Sequence, residues 1–307
     1  MSHRILTDED VRDLVQPDRV VAAMRRAFEE YAAGTLEAPP RWSIEANDGS
    51  LVFTVGAATG PTNAVGYRVY ETYPQTGPDH QQLVAVYDAT SGAFEGLFVG
   101  HAVGRWRTGG IGGCAVDALA REDVRTLGLL GAGSQAETQL ASVAAVRDFD
   151  EVRVYSPTRE SRESFAREMD DRIDPPVDAV DAAESAVRGT DVLVCATTST
   201  EPVFDADWLE PGSHVTSIGP KFEGSHELPL EVIDRADVVA TDSLAQVDGY
   251  ETAFVVSGAN RERMVELTDV LDGERPADDD LTLFCSVGLA GTEVVLGREL
   301  LDVAESE

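Results

Sequence analysis

Lysine is almost absent from this sequence. Lys221 is the single lysine, and every other residue among the 24 counted as Lys or Arg is arginine. Against them stand 56 Asp and Glu residues, which give a formal net charge of -32. Binding to nucleic acid or to an anionic membrane surface requires cations that meet phosphate groups. The composition therefore excludes both as expected partners.

The excess of acid has two interpretations. A basic protein partner could require it, or the chain could be adapted to high salt, where a carboxylate-rich surface stays hydrated and its self-repulsion is screened. Binding to a basic partner gives no reason for lysine to be scarce. The scarcity of lysine therefore favours the high-salt interpretation, and we expect a halophilic protein.

Cysteines and long apolar runs are also scarce. The three cysteines, Cys114, Cys195 and Cys285, lie far apart and match no metal-ligand spacing. We therefore expect a reduced, cytoplasmic protein without a metal site. The opening "MSHRILTDEDVRDL" lacks the apolar stretch of a signal peptide, and no segment approaches the roughly 18 apolar residues of a membrane span.

The order of predicted elements indicates an α/β protein. In the first third, helices start at Thr7, where Asp10 completes a capping-box pattern, and at Pro17; strands and a glycine-containing helix, "GRWRTGGIGGCAVDALAR", follow. From about residue 125, apolar strands alternate with helices. This alternation predicts a doubly wound parallel sheet of the Rossmann type, preceded by an α+β part.

A glycine turn joins the first strand of that alternating part to its helix. "LGLLGAGSQAETQ" contains Gly131-x-Gly133-x-x-Ala136, in the strand–turn–helix context of a dinucleotide fingerprint. Gly131 permits the turn, Gly133 allows a pyrophosphate to approach, and Ala136 lets the helix pack closely on the strand. The start of the helix, with Ser134 and Gln135, presents free N–H groups to a negative charge. We therefore expect this turn to bind a dinucleotide.

The next strand ends in "VRVYSPTRES", which bears on the choice of dinucleotide. An NAD site usually has Asp or Glu here to bind the ribose 2′-hydroxyl, whereas this chain has Ser156, Thr158 and Arg159. Hydroxyls and a guanidinium suit a 2′-phosphate. The sequence therefore favours NADP(H) over NAD(H); the alternative is that Arg159 only faces solvent.

Other polar residues follow strands whose carboxyl ends would face the same ligand. Thr197 and Thr198 come after one strand, and Ser286 and Gly288 after another. Sheets of this kind bind ligands at that edge, so we expect these residues to line the nicotinamide side.

Four arginines stand out in the first 107 residues, at positions 41, 68, 105 and 107. Arg41, Arg68 and Arg107 are the candidates for a pocket that holds a carboxylate by bidentate hydrogen bonds. Each alone is explained equally well by an ordinary ion pair, since acids are abundant. Glu71, Glu223, His80 and His226 are lesser candidates with ordinary roles in loops.

These motifs together resemble the ornithine cyclodeaminase/mu-crystallin family. The resemblance covers nearly the whole chain and is most specific in "RWRTGGIGGCAVDALAR", "LGLLGAGSQAETQL", "CATTSTEPVF", "GSHVTSIGPKFEGSHEL" and "FCSVGLAGTEVVLG". It implies a substrate-binding and dimerisation domain, placed at residues 1–118 with 289–307 returning to it, around a Rossmann domain at 119–288. It also implies a homodimer and NAD(P)-dependent chemistry on amino or imino acids.

The resemblance also assigns residues. Arg41 and Arg107 match the arginines that hold the substrate carboxylate, Arg68 stands where the family has a catalytic lysine, and Lys221 stands where cyclodeaminases have an aspartate. Arginine stays charged at any useful pH, whereas a lysine desolvated beside other cations can exchange its proton near neutrality. We therefore expect Lys221 to act as the acid/base or to orient the substrate, and Arg68 to bind anionic groups. The alternative is that Lys221 is a chance surface lysine in a loop.

The predicted function is hydride transfer between a nicotinamide and a small anionic amino, imino or keto acid, as in alanine dehydrogenases, ketimine reductases or opine dehydrogenases. An ornithine cyclodeaminase-type lyase is less favoured, because a cation at residue 221 would repel the substrate's amines. A non-catalytic, crystallin-like protein that binds NADP(H) and a ligand is the remaining alternative.

Overall fold

A computed structural model describes residues 4–73 and 81–306. The chain divides into two compact units, one made of Met1–Arg107 and Gly288–Glu307, the other of Thr108–Val287. The sequence places the boundary after residue 118, whereas contacts divide the chain after Arg107, within a helix that contains both positions.

The first unit begins with a short strand and two helices, and the other strands of its sheet follow. Its elements from the amino-terminal part of the chain are β1 (Arg4–Thr7), α1 (Asp8–Leu14), α2 (Pro17–Ala32), β2 (Leu36–Glu37), β3 (Trp42–Ala46), β4 (Gly49–Ala58), β5 (Ala64–Glu71), β6 (Leu83–Asp88) and β7 (Phe94–Val99). The capping box of Thr7 and Asp10 is confirmed, because the Thr7 side chain accepts from the Asp10 N–H and Asp10 accepts from the Thr7 N–H. Pro17 begins α2, as the sequence predicts.

The strands of this unit lie in the order β1-β7-β6-β5-β4-β2, with β3 also paired to β4. β1 runs parallel to β7, and the other pairs are antiparallel. Side chains alternate between the two faces of β4: Val52 and Thr54 are buried, whereas Leu51 is exposed. The last helix of the chain, described below, packs on the buried face.

Helix α3 (Ala102–Leu119) leads into the second unit and confirms the predicted glycine-containing helix. The elements that follow are β8 (Thr126–Leu130), α4 (Ser134–Ala144), β9 (Glu151–Tyr155), α5 (Arg159–Asp170), β10 (Val177–Ala179), α6 (Ala183–Val187), β11 (Val192–Cys195), a 3₁₀ turn (Ala206–Trp208), β12 (His214–Ser217), β13 (Lys221–Phe222), β14 (Ser225–His226), α7 (Leu230–Arg235), β15 (Val238–Thr241), α8 (Leu244–Asp248), α9 (Gly258–Glu262), β16 (Val265–Glu266), α10 (Leu267–Leu271) and β17 (Thr282–Cys285). The chain then returns to the first unit as α11 (Thr292–Ser306).

The second unit has a parallel sheet in the order β10-β9-β8-β11-β12-β17-β15-β16. Successive residues of β11 alternate between two cores: Val192 and Val194 enter one, and Leu193 and Cys195 the other. The sheet is therefore covered on both faces, as in a doubly wound fold. The predicted fold class, a Rossmann-type domain with a second α+β domain, is confirmed.

Within the described residues, no helix is long and apolar enough to cross a membrane.

Candidate functional site

A cleft of about 480 Å³ opens at the carboxyl ends of β8, β9 and β11. β8 pairs with β9 on one side and with β11 on the other, so the order of strands reverses here. Open sheets of this type bind ligands at such a switch point. The residues that line the cleft are Leu130, Gly131, Ala132, Gly133, Tyr155, Ser156, Pro157, Ser161, Ala196, Thr197, Thr198, Ser199 and Val203.

Gly131 makes the turn out of β8 and requires glycine for two reasons. Its φ angle is +111°, which side chains rarely adopt, and a Cβ there would lie 2.3 Å from the carbonyl oxygen of Ala196. The first fingerprint glycine thus brings β8 and β11 close together where the cleft begins.

Gly133 has a different role, because its surroundings are open. No atom lies within 4 Å of the position where a Cβ would be, and the residue is the exposed N-cap of α4. The helix begins at Ser134 and Gln135, whose N–H groups point out of its first turn, while Ala136 is fully buried. A phosphate can approach this backbone without meeting a side chain, so the turn fits a dinucleotide pyrophosphate.

Ser156, which follows β9, and Ser161, on α5, line the cleft. Thr158 and Arg159 are exposed and lie outside its lining, and Nε of Arg159 is 2.6 Å from Glu163 on the same helix. Among the residues that the structure describes, no aspartate or glutamate lines the cleft.

A second arginine lies closer to this end of the cleft, and sequence reasoning missed it. Arg162 is buried, and its guanidinium donates to the carbonyl of Ser156 at 3.1 Å and to Asp181 at 2.7 Å. It also stands 5.8 Å from the centre of the Tyr155 ring. The apolar period of α5, which places position 162 on the buried side, is the signal that could have identified it.

Of the four residues predicted on the nicotinamide side, two line the cleft and two lie elsewhere. Thr197 and Thr198 line the cleft. Ser286 is buried and its hydroxyl donates to Asp242 at 2.7 Å, and Gly288 lies beside the Arg107 guanidinium, so neither belongs to the cleft lining.

In the first unit, two of the predicted arginines meet at one buried carboxylate. Oε1 of Glu293, on α11, lies 2.9 Å from Nη1 of Arg68 on β5 and 3.1 Å from Nε of Arg107 on α3. All three side chains are buried. Sequence reasoning did not select Glu293, because nothing local distinguishes it from the other acids.

The charged groups in this cluster affect one another's ionisation. Burial opposes ionisation of Glu293, but Arg107 and Arg68 outweigh that effect and hold its pKa below the ordinary value. Burial lowers the pKa of Arg68, although Glu293 opposes this shift. The cluster therefore has two buried guanidiniums and one buried carboxylate.

The Arg68 guanidinium has further partners in its own unit. Nε and Nη2 donate to Oε1 of Gln82 at 3.0 Å and 2.6 Å, and the group lies 4.5 Å from the centre of the Tyr70 ring. The hydroxyl of Tyr70 in turn accepts from Arg41 at 3.3 Å. The structure thus connects Arg41, Arg68 and Arg107 through Tyr70 and Glu293, and none of these connections is visible in the sequence.

Lys221 lies in the second unit, in the first strand of the β13–β14 hairpin. It is buried, with 6% of its surface exposed, and its ammonium donates to the carbonyl of Gly219 at 2.5 Å. The interpretation of Lys221 as a surface lysine in a loop is therefore wrong.

The structure describes three of the four minor candidates, of which Glu223 is exposed. Glu71 accepts from the N–H of Tyr73, His226 bonds the carbonyl of Leu228, and His80 lies outside the described residues. Among residues 4–73 and 81–306, no cluster of His, Cys, Asp and Glu could hold a metal ion.

A glycine turn at the switch point of a doubly wound sheet, in a chain with a second, α+β unit, defines a dinucleotide-binding α/β protein. The model of the ornithine cyclodeaminase/mu-crystallin family matches residues 1–307, and the chain belongs to this family.

Comparison with individual proteins gives the same assignment. The chain is 31% identical to an alanine dehydrogenase of Archaeoglobus fulgidus, over 100% of this chain and 97% of that protein. Among solved structures, Delta(1)-pyrroline-2-carboxylate reductase of Thermococcus litoralis, in complex with NADH and L-proline, is similar with a TM-score of 0.86 and 26% identity, over 98% of this chain and 97% of that one. An archaeal alanine dehydrogenase dimer with bound NAD is similar with a TM-score of 0.86 and 28% identity, over 100% and 97%.

Proposed function

We propose that this protein is an NAD(P)-dependent oxidoreductase that acts on a small amino, imino or keto acid. The observation that supports this most strongly is the cleft at the switch point, where Gly133 and the start of α4 leave room for a pyrophosphate. A bound nicotinamide supplies the hydride chemistry. The relatives named above act on alanine and on a cyclic imino acid.

Within this proposal, Arg41 and Arg107 bind the carboxylate of the substrate. A guanidinium offers paired N–H donors that match the two oxygens of a carboxylate. Arg68 adds positive charge to the same cluster, but the hydrogen bonds described above direct its guanidinium to Gln82 and Glu293. We therefore propose that Arg68 attracts the anion electrostatically and holds Glu293 in place.

Lys221 is the proposed acid/base. It is a buried amine in the unit that contains the cleft, and an ammonium can release a proton where a guanidinium cannot. The carbonyl of Gly219 accepts one N–H of the ammonium. This bond fixes the position of the ammonium relative to the end of β12, which Gly219 follows.

We propose NADP(H) as the preferred cofactor. Ser156, which follows β9, and Ser161, on α5, line the cleft, and among the described residues no aspartate or glutamate lines it. Arg162 adds a buried cation behind Ser156, and Arg159 an exposed one at the start of α5. A 2′-phosphate is favoured where hydroxyls and cations replace a carboxylate.

A homodimer is proposed from the outer face of the first sheet. Trp42, Ile44, Leu51 and Tyr67 are exposed there, and Trp42 stacks on Phe53 at a centroid distance of 4.5 Å. An apolar face of this kind on a chain of net charge -32 calls for a covering partner. A second copy is the proposed partner, and the similar archaeal alanine dehydrogenase structure is a dimer.

The proposed setting is a reducing cytoplasm at high salt. Cys114, Cys195 and Cys285 are thiols buried in the fold, which suits a reducing compartment. The acid excess suits molar salt, because screening reduces self-repulsion of the surface.

The test is a screen of cyclic imines, and of keto acids with ammonia, using NADPH and NADH in molar KCl. We expect loss of nicotinamide absorbance that depends on the substrate. Arg107→Ala should raise the KM for that substrate and so abolish the loss of absorbance at the substrate concentrations of the screen. In a separate arm without added ammonia, release of ammonia from ornithine with no net change in nicotinamide absorbance would instead identify a cyclodeaminase. Tight cofactor binding with no turnover on any member of the screen would identify a ligand-binding protein.

A further inference from the structure

A fully buried carboxylate, Glu227, joins the cleft wall to the segment that contains Lys221. Its Oε2 accepts from the N–H of Thr197 at 2.9 Å and from the Thr197 hydroxyl at 2.7 Å. Its Oε1 accepts from the Ser217 hydroxyl and from the N–H of Gly219, both at 2.7 Å. Each oxygen of the Glu227 side chain thus accepts two hydrogen bonds. A carboxylate can do this because both of its oxygens are acceptors, whereas an amide has only one acceptor oxygen.

These donors come from the carboxyl ends of two neighbouring strands. Thr197 follows β11 and lines the cleft, while Ser217 ends β12 and Gly219 follows it. A Cβ on Gly219 would lie 2.3 Å from Oε2 of Glu227 and 2.5 Å from the carbonyl oxygen of Thr197. A side chain at residue 219 would therefore displace Glu227 or the Thr197 backbone, so the three residues are in close contact.

The same glycine also holds the lysine. The Gly219 N–H bonds Glu227, and its carbonyl accepts from the ammonium of Lys221 at 2.5 Å. A continuous path of hydrogen bonds thus runs from Thr197 in the cleft wall, through Glu227 and Gly219, to the ammonium.

We propose that Glu227 is a positioning residue that couples occupancy of the cofactor cleft to the placement of the Lys221 ammonium. A ligand that contacts Thr197 restricts the position of the Glu227 carboxylate. The carboxylate then holds Gly219, whose carbonyl orients the Lys221 ammonium. The functional value of this coupling rests on the proposed role of Lys221 in proton transfer, whereas the coupling itself does not.

Because Lys221 is the only lysine of the chain, it can be observed alone. Protein grown with ¹³C,¹⁵N-labelled lysine gives a single lysine side-chain signal by NMR. The experiment titrates NADPH into wild-type protein, Glu227→Gln, Thr197→Val and a control, Asp191→Asn, while cofactor fluorescence gives the dissociation constant. Asp191 is a suitable control because it also accepts two backbone hydrogen bonds, from Arg125 and Thr126, but at the amino end of β8.

We expect saturating NADPH to shift the Lys221 signal in wild type and in Asp191→Asn. In Glu227→Gln the amide N–H groups face other donors, so the NADPH-induced shift falls below about half of the wild-type shift although NADPH still binds. Thr197→Val removes one hydrogen bond from the hydroxyl and keeps the side-chain volume, and it also reduces the shift. A wild-type shift in both variants, or no shift in wild type, would overturn the proposal.

Turnover of Lys221→Ala separates this inference from the proposed function. Wild-type kcat/KM in that variant would refute proton transfer by Lys221 and leave the coupling through Glu227 standing. Loss of turnover in Lys221→Ala, together with a wild-type NADPH-induced shift in Glu227→Gln and Thr197→Val, would refute the coupling and leave proton transfer by Lys221 standing.

Discussion

Arg68 and Glu293 form a buried ion pair across 225 residues of sequence, with Nη1 and Oε1 2.9 Å apart. The same oxygen faces Arg107, so two guanidiniums share one carboxylate. Removing a partner from a buried pair leaves uncompensated charge, which costs more than the pair itself contributes.

We therefore predict that Glu293→Gln lowers the free energy of unfolding by about 3 to 5 kcal/mol. The matched control is Glu299→Gln, which breaks the partly exposed pair with Arg26 and should cost less than about 1 kcal/mol. Urea unfolding of the three proteins measures both. Equal, small losses in the two variants would show that the buried cluster does not stabilise the fold.

The second prediction concerns His214, whose ring lies between Thr282 and Thr216 at 2.8 Å and 2.9 Å. Burial, with a smaller contribution from Arg147, lowers its pKa from 6.5 to about 3. Below about pH 6.5 the unfolded chain therefore takes up a proton at His214 that the folded chain does not take up. The contribution of His214 to the free energy of unfolding is therefore greatest above that pH and declines as the pH falls toward about 3.

Between about pH 8 and pH 5 this one group should cost about 2 kcal/mol of unfolding free energy. His214→Gln should flatten that part of the pH profile. Thr282→Val is the control, since it removes a hydrogen bond but keeps the titrating ring: it should lower stability at every pH without changing the slope. An unchanged slope in His214→Gln would refute the assignment.

Cofactor choice gives a third prediction. Wild-type protein should bind NADPH more tightly than NADH. Ser156→Asp should shift the ratio of the two dissociation constants toward NADH by about tenfold or more. The introduced carboxylate repels the 2′-phosphate of NADPH and accepts a hydrogen bond from the 2′-hydroxyl of NADH. Thr158→Asp adds the same charge just outside the cleft lining and should change the ratio less. Fluorescence titration measures both, and a wild-type preference for NADH would contradict the NADP(H) proposal.

The exposed sheet face gives a fourth prediction. Ile44→Asp places a charge in the middle of the face and should convert a dimer into a monomer of 32.9 kDa, as measured by light scattering after size exclusion. Leu230→Asp changes a comparably exposed apolar residue in the other unit and should leave the mass unchanged. A wild-type monomer would refute the proposed dimer.

Salt dependence gives a fifth prediction. With 56 acids against 24 bases, the melting temperature should rise steadily from dilute buffer to molar KCl as repulsion is screened. Sorbitol at matched osmolality is the control, because it adds no ions and should raise the melting temperature less. A melting temperature that is highest in dilute buffer would exclude adaptation to salt.

Much of the fold was predictable because its signals are local. The capping box at Thr7, the glycine-rich helix α3 and the alternation of strands and helices after residue 125 each depend on neighbouring residues, and each is found. The short strands β10, β13, β14 and β16 were not predicted. Segments of two or three residues show no periodicity, and only their pairing partners make them strands.

The sequence by itself determined the glycine turn, since Gly131 and Gly133 stand at a fixed spacing between a strand and a helix. It also determined that Lys221 is unique, which makes this residue a candidate on composition alone. Neither conclusion depends on distant parts of the chain.

Only the tertiary structure decided which acids matter. Glu227 and Glu293 look like any of the other acids in the sequence, yet they are the fully buried carboxylates that hold Gly219 beside Lys221 and Arg68 beside Arg107. Burial and hydrogen bonding depend on residues brought together by folding, over separations as long as the one between Arg68 and Glu293. A linear pattern does not contain that information.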